Sequence, residues 1–187
     1  MTSEKSGIRR AEIGSAIAVL IAVLAVVVSF YQARIAENQA HASVWPYLSI
    51  GYNMYDGSDG PGFTWTVDNN GLGPAVLQSV VVKVDGAPRK TWRDVITALG
   101  IQPDIMRTTS SLHGRVLPPN INRETTVQAI HIPTLADARL FNKARDRVTM
   151  DICYCSVYDE CWIARFEDAR VERVSHCEPA GALEFTQ

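Results

Sequence analysis

Eighteen consecutive residues from Ile13 to Phe30, IGSAIAVLIAVLAVVVSF, carry neither charge nor proline. As a helix rising 1.5 Å per residue they reach about 27 Å, which with the flanking Tyr31 matches the hydrocarbon core of a bilayer. The run predicts a transmembrane helix over 13–31, and everything else in the chain has to be read from this anchor outward. Lys5, Arg9 and Arg10 precede it, whereas only Arg34 follows within the next dozen residues. Because basic residues stay on the cytoplasmic side, residues 1–12 are expected to be a cytoplasmic tail and the bulk of the chain to be exported. The expected location is the bacterial inner membrane, single-pass, with the C-terminal domain periplasmic.

A cleaved signal peptide is the alternative, since Ala40-His41-Ala42 has the small-x-small form of a cleavage site. The apolar run is longer than the roughly 7 to 15 residues of a signal h-region, and the site lies twelve residues beyond Phe30. These lengths favour an uncleaved signal anchor. No cysteine follows the run closely enough to carry a lipid. Residues 32–43 are good helix formers and predict a stalk that stops before Trp45-Pro46, because proline disfavours helical geometry in the residue before it.

What remains, 44–180 with a short tail at 181–187, has the size of one domain. Past Ser43 there are 14 basic and 17 acidic residues, a net −3 without a concentrated basic face. A nucleic-acid partner would need such a face to neutralise phosphates. The one basic cluster, Arg139, Lys143, Arg145 and Arg147, reads as a solvated surface.

Tyr47–Asn53 reads as a strand, followed by the Gly- and Asp-rich loop MYDGSDGPG. Asp56 and Asp59 in that loop do not have EF-hand spacing, so no calcium site is expected. Phe63, Trp65 and Val67 alternate with Thr64, Thr66 and Asp68, the period of a half-buried strand. The next stretch, NNGLGPA, lacks both the third glycine of a dinucleotide fingerprint and the lysine of a P-loop. It is expected to be a turn in which Asn70, Gly71 and Gly73 are able to take positive φ and Pro74 fixes the exit. A β-branched run, Val76–Val84, closes on the turn signal Asp85-Gly86.

Thr91–Leu99 is expected to be a short helix with a Thr91…Asp94 start signal, ended by Gly100. The segment 100–111 reads as irregular. His113, with Ser110, Ser111 and Asp104 nearby, is the one place where a hydrolase triad is imaginable, and its simpler reading is a polar loop. Val116–Pro119 and Glu124–Ile132 read as a turn and a further strand, with His131 among apolar neighbours. Leu135–Arg145 reads as a second short helix.

The most informative soluble stretch is VTMDICYCSVYDECWIARFE, Val148–Glu167. Setting Cys155 opposite Cys161 puts Tyr154 against Trp162, Ile152 against Ala164 and Met150 against Phe166 on one face, with Asp151 against Arg165 on the other. Shifting by two residues would instead oppose Asp151 and Glu167, two like charges. The favoured register brings the Cys155 and Cys161 Cα atoms to about 4.5–5.5 Å, compatible with a disulfide. Cys153 is then left for Cys177, and an even cysteine count in an oxidising compartment favours bridges. Two other uses of the four cysteines compete. A zinc site would lack the usual Cys-x-x-Cys knuckles. A redox dithiol would have to tolerate Asp151, Asp159 and Glu160 beside its thiolate.

Together the N-terminal anchor, the Asn-Asn-Gly-x-Gly-Pro-Ala turn and the Tyr-Cys-Ser-Val-Tyr-Asp-Glu-Cys-Trp hairpin resemble a group of bacterial single-pass membrane proteins with no assigned activity. The resemblance implies the topology and an exported β-sandwich-like domain. The expected fold is thus a transmembrane helix plus a β-sandwich of about seven strands, Greek-key or immunoglobulin-like, with short connecting helices. No acid, base, nucleophile or ligand set stands out. A non-enzymatic interaction or scaffolding domain without a cofactor is therefore expected, its partner another envelope protein or a second copy through the helix. The competing reading is an envelope enzyme using thiol–disulfide chemistry, with Cys153, Cys155, Cys161 and His113 as its residues.

Overall fold

A computed structural model of the chain describes residues 2–56, 61–120, 125–166 and 168–186. Asp59, the start of the expected strand at Glu124, and Glu167 lie outside the described residues. The chain divides into two units, Met1–Ala42 and Ser43–Gln187. The first is one helix, α1 (Thr2–Ser43), long and apolar enough from Gly14 onward to cross a membrane. Its large apolar side chains from Ile17 to Phe30 are exposed.

The second unit is mainly β, with two antiparallel sheets. Strands β1 (Leu48–Tyr55) and β2 (Gly62–Asn69) form a hairpin with Leu48 opposite Asn69. The chain then crosses to the other sheet as β3 (Ala75–Val84), which turns back through Asp85 and Gly86 into the short β4 (Ala87–Arg89). Both turn residues have positive φ, 52° and 78°, the geometry that a two-residue hairpin demands. The Arg147 guanidinium hydrogen-bonds the Asp85 carboxylate and holds its pKa below the usual carboxylate range.

Helix α2 (Trp92–Ala98) begins at Thr91, whose hydroxyl accepts from the Asp94 N–H while the Asp94 carboxylate accepts from the Thr91 N–H. This reciprocal cap is the arrangement its sequence signal called for. The segment after it was expected to be irregular, yet it contains a two-residue strand, β5 (Thr108–Thr109). Next come β6 (Val116–Leu117), β7 (Val127–Ile132), helix α3 (Leu135–Ala144) and a single 3-10 turn, Arg145–Arg147. Strands β8 (Val148–Cys155), β9 (Cys161–Arg165) and β10 (Asp168–Val174) follow, and a second 3-10 turn, Gly181–Leu183, completes the order.

One sheet runs β1-β2-β7-β5. The other runs β10-β9-β8-β3-β4, with β6 also paired to β3. The β8–β9 ladder has the register deduced from face parity and charge: Cys155 opposite Cys161, Tyr154 opposite Trp162, Ile152 opposite Ala164 and Asp151 opposite Arg165.

Inner faces of the two sheets share one buried core. Trp65 of β2 sits at its centre, with ring centroids 4.7 Å from Phe166, 6.1 Å from Phe63, 6.2 Å from Phe141 of α3 and 6.3 Å from Trp92 of α2. Among the described residues neither indole N–H of Trp65 and Trp92 finds an acceptor, a cost that so much buried aromatic area has to offset. Within the tail expected at 181–187, Phe185 and Thr186 are hydrogen-bonded to the domain. Phe185 is buried against Trp92 at 5.0 Å, and its backbone N–H donates to the Val80 carbonyl at 2.8 Å. Burying such a ring stabilises by about 2 kcal/mol, which offsets part of the cost of ordering the terminal segment.

Candidate functional site

All four cysteines lie together on the outward face of the six-stranded sheet. Cys153 and Cys177 are joined at an S–S distance of 2.03 Å, and Cys155 and Cys161 at 2.10 Å. Strand pairing alone brings the second pair together, because a hairpin with Cys155 opposite Cys161 puts both side chains on one face. The first bridge exists because the chain after β10 passes over the end of β8. The two bridges touch: Cys155 Sγ lies 3.7 Å from Cys177 Sγ, and the sulfurs of Cys155, Cys161 and Cys177 are all within 4.8 Å of one another. In the bridged form these sulfurs carry no thiolate charge, so they are not metal donors in this state.

Around the cluster Asp151 and Glu160 are paired. Asp151 takes Lys83 Nζ at 3.1 Å and has Arg165 Nε at 3.9 Å, while Arg165 Nη1 lies 2.7 Å from Glu172. Glu160 takes Arg173 Nη2 at 2.7 Å. Two of the three acids that the sequence set against a thiolate are thus paired with basic side chains of β3, β9 and β10.

At the turn expected over 69–75, the structure replaces the anticipated reason for the glycines. Neither Gly71 nor Gly73 has positive φ, and nor does Asn70. Both glycines are there because the chain before β1 lies against them. A Cβ on Gly71 would meet the Trp45 carbonyl oxygen at 2.4 Å, and one on Gly73 would meet that of Val44 at 2.0 Å. Asn70 donates from Nδ2 to Ser49 Oγ at 2.7 Å.

Asn69, which no sequence argument singled out, organises the whole turn. Its Oδ1 accepts from Tyr47 N at 3.2 Å and Gly71 N at 3.0 Å; its Nδ2 donates to Gly73 O at 2.8 Å and Leu117 O at 2.9 Å. The turn, Pro74 included, is a structural latch rather than a phosphate cradle.

His113 does not assemble a triad with its sequence neighbours. Its Nδ1 lies 2.9 Å from Glu184 Oε1, an oxygen that also accepts from Val80 N at 2.8 Å, and Asp104 is paired with Arg93 instead. His113 therefore helps to clasp the C-terminal segment. His131 packs at hydrogen-bonding distance from Thr64 Oγ1, 2.8 Å from Nδ1.

A second surface feature lies on the outward face of the four-stranded sheet. Thr64 and Thr66 point away from the core and yet are buried, at 4% and 7% exposure. They lie on a central strand, and Thr66 faces Gly51 of β1, which has no side chain to fill the space beside it. The resulting groove, ≈ 360 Å³, is lined by Asn53, Thr66, Asp68, Asn70, Asn120 and Thr126. Asp68 Oδ1 accepts from both Asn120 Nδ2 and Thr126 Oγ1 and fixes the groove's far wall. The alternation Thr64, Thr66, Asp68 marked this face in the sequence, but Asn120 and Thr126 reach it only through the fold.

No family model matches the chain, and neither a curated protein nor a solved structure matches it.

Proposed function

We propose that this chain is a membrane-anchored domain held outside the cytoplasm, a non-enzymatic module that binds another envelope protein or a second copy of itself. The observation that carries this reading is the polar groove over β2, lined by six side chains able to donate or accept hydrogen bonds, the buried Thr66 among them. A solvated outer face has no need of such a depression, whereas a partner's side chains or backbone would fill it. Lys5, Arg9 and Arg10 ahead of the apolar helix, with Arg34 alone behind it, support export of the domain. The repeated crossing of the chain between sheets, β2 to β3 and β7 to β8, supports a Greek-key β-sandwich of immunoglobulin-like kind.

Site-specific photo-crosslinking in native membranes tests the proposal. A crosslinker at Asn53 should capture one defined protein, whereas a crosslinker at Lys83 on the opposite sheet should not. Diffuse capture of equal pattern from both positions would count against a binding face on β1 and β2.

A further inference from the structure

The contact between the two disulfides has a chemical consequence independent of which partner the domain binds. Thiol–disulfide exchange needs a thiolate close to a disulfide sulfur, and the 3.7 Å between Cys177 Sγ and Cys155 Sγ is van der Waals contact between members of different bridges. Access is unequal. Cys153, Cys155 and Cys161 are buried at 8%, 6% and 3% exposure, and Cys177 alone of the four is partly open to solvent. An attacking thiol from outside therefore meets Cys177 first.

We propose that the four cysteines form an exchange relay, in which an external dithiol arriving at Cys177 moves the bridge partner of Cys155 from Cys161 to Cys177. One thiolate of the dithiol attacks Cys177 Sγ, breaking the bond to Cys153 and leaving the Cys153 thiolate to take up a proton. The dithiol's second thiolate then attacks its own sulfur in the mixed disulfide. It leaves as an oxidised cyclic disulfide and releases the Cys177 thiolate. That thiolate attacks Cys155 Sγ, forming Cys155–Cys177 and expelling the Cys161 thiolate, which is protonated from solvent. Two electrons pass from the dithiol to the protein, and one protein disulfide has become two thiols, on Cys153 and Cys161.

The relay has a structural output. The C-terminal segment stays tied to β8, two residues further along, while the loop Ser156–Glu160 loses its staple. That loop carries the exposed Val157 and Tyr158, so a reductant at one edge of the cluster changes the freedom of a protruding tip elsewhere on it. Asp151 and Glu160, two of the three acids beside the cluster, are paired with basic side chains, which weakens the electrostatic objection to thiolates there.

Limiting dithiothreitol on the full chain in detergent, acid quenching, alkylation and mass mapping test the relay. Chymotryptic cleavage after Tyr154 and Tyr158 separates Cys153, Cys155 and Cys161. The relay predicts a Cys155–Cys177 linked peptide, with alkylated Cys153 and Cys161, as the main two-thiol species. Retention of Cys155–Cys161 with alkylated Cys153 and Cys177 would overturn it. The Cys153→Ser variant, oxidised without reductant, gives an independent readout: a free thiol on Cys161 supports the relay, and one on Cys177 contradicts it.

Discussion

Tyr154 of β8 accepts, at its phenol oxygen, the backbone N–H of Leu48 at 3.3 Å, so a side chain of the six-stranded sheet satisfies the first amide of β1 in the four-stranded one. Burial pushes the phenol pKa from 10.0 to about 12, outweighing the Leu48 hydrogen bond that acts in the opposite sense. A raised folded-state pKa means that the unfolded chain ionises first. The stability held by neutral Tyr154 is therefore complete below pH 10.0 and is lost as pH rises toward 12. Tyr154→Phe should cost about 1–3 kcal/mol at neutral pH by leaving a buried N–H without an acceptor. In urea unfolding its stability should fall less steeply than the wild type's across that alkaline window. Parallel slopes would contradict the role given to Tyr154.

Replacing Gly73 tests close approach against backbone conformation. Gly73→Ala puts a methyl into the Val44 carbonyl and should cost about 3 kcal/mol, the upper end of overpacking. Gly86→Ala meets no atom within 4 Å and suffers only the left-handed backbone penalty at φ +78°, about 1–2 kcal/mol. Urea midpoints of the two variants should fall in that order.

Asn69→Asp keeps the shape and the Oδ1 acceptor but turns the amide donor toward the Gly73 and Leu117 carbonyls into a second acceptor. Two buried carbonyls then lose their partner, and the variant should be destabilised by on the order of 3 kcal/mol. Thermal unfolding of the domain reads this out.

The two bridges should differ in worth. Closing a loop over a sequence separation of 24 removes more unfolded-state entropy than closing one over 6. The expected losses are about 3.5 kcal/mol for the Cys153, Cys177 double alanine variant and about 2.3 kcal/mol for the Cys155, Cys161 one. A reversed order in denaturant midpoints would contradict the entropic account.

Much of this was legible before the fold was known, for reasons that can be named. The β8–β9 register followed from local parity: four apolar residues on one face, and a charge pair, Asp151 with Arg165, that only one register satisfies. Helix α2 followed from a cap written within four residues. Asn69 and Phe185 were not legible, because what they do depends on segments far along the chain. Asn69 ties Tyr47 and Leu117, and Phe185 fills a place beside Trp92. The glycines of the turn were legible as turn residues able to take positive φ, but not as the close-packing positions they are, since sequence does not reveal that Val44–Tyr47 presses against them. Strand β5, two residues long, is held by pairing with β7 and has no periodicity to read.

The account rests on the anchor placing the cysteine-bearing domain outside the cytoplasm, and thiol labelling tests this most directly. Sealed, right-side-out membranes are reduced, then exposed to a membrane-impermeant maleimide. The account predicts that Cys177, the partly exposed cysteine, labels without permeabilisation; labelling of Cys177 only after the membrane is opened would place the domain on the other side and contradict it.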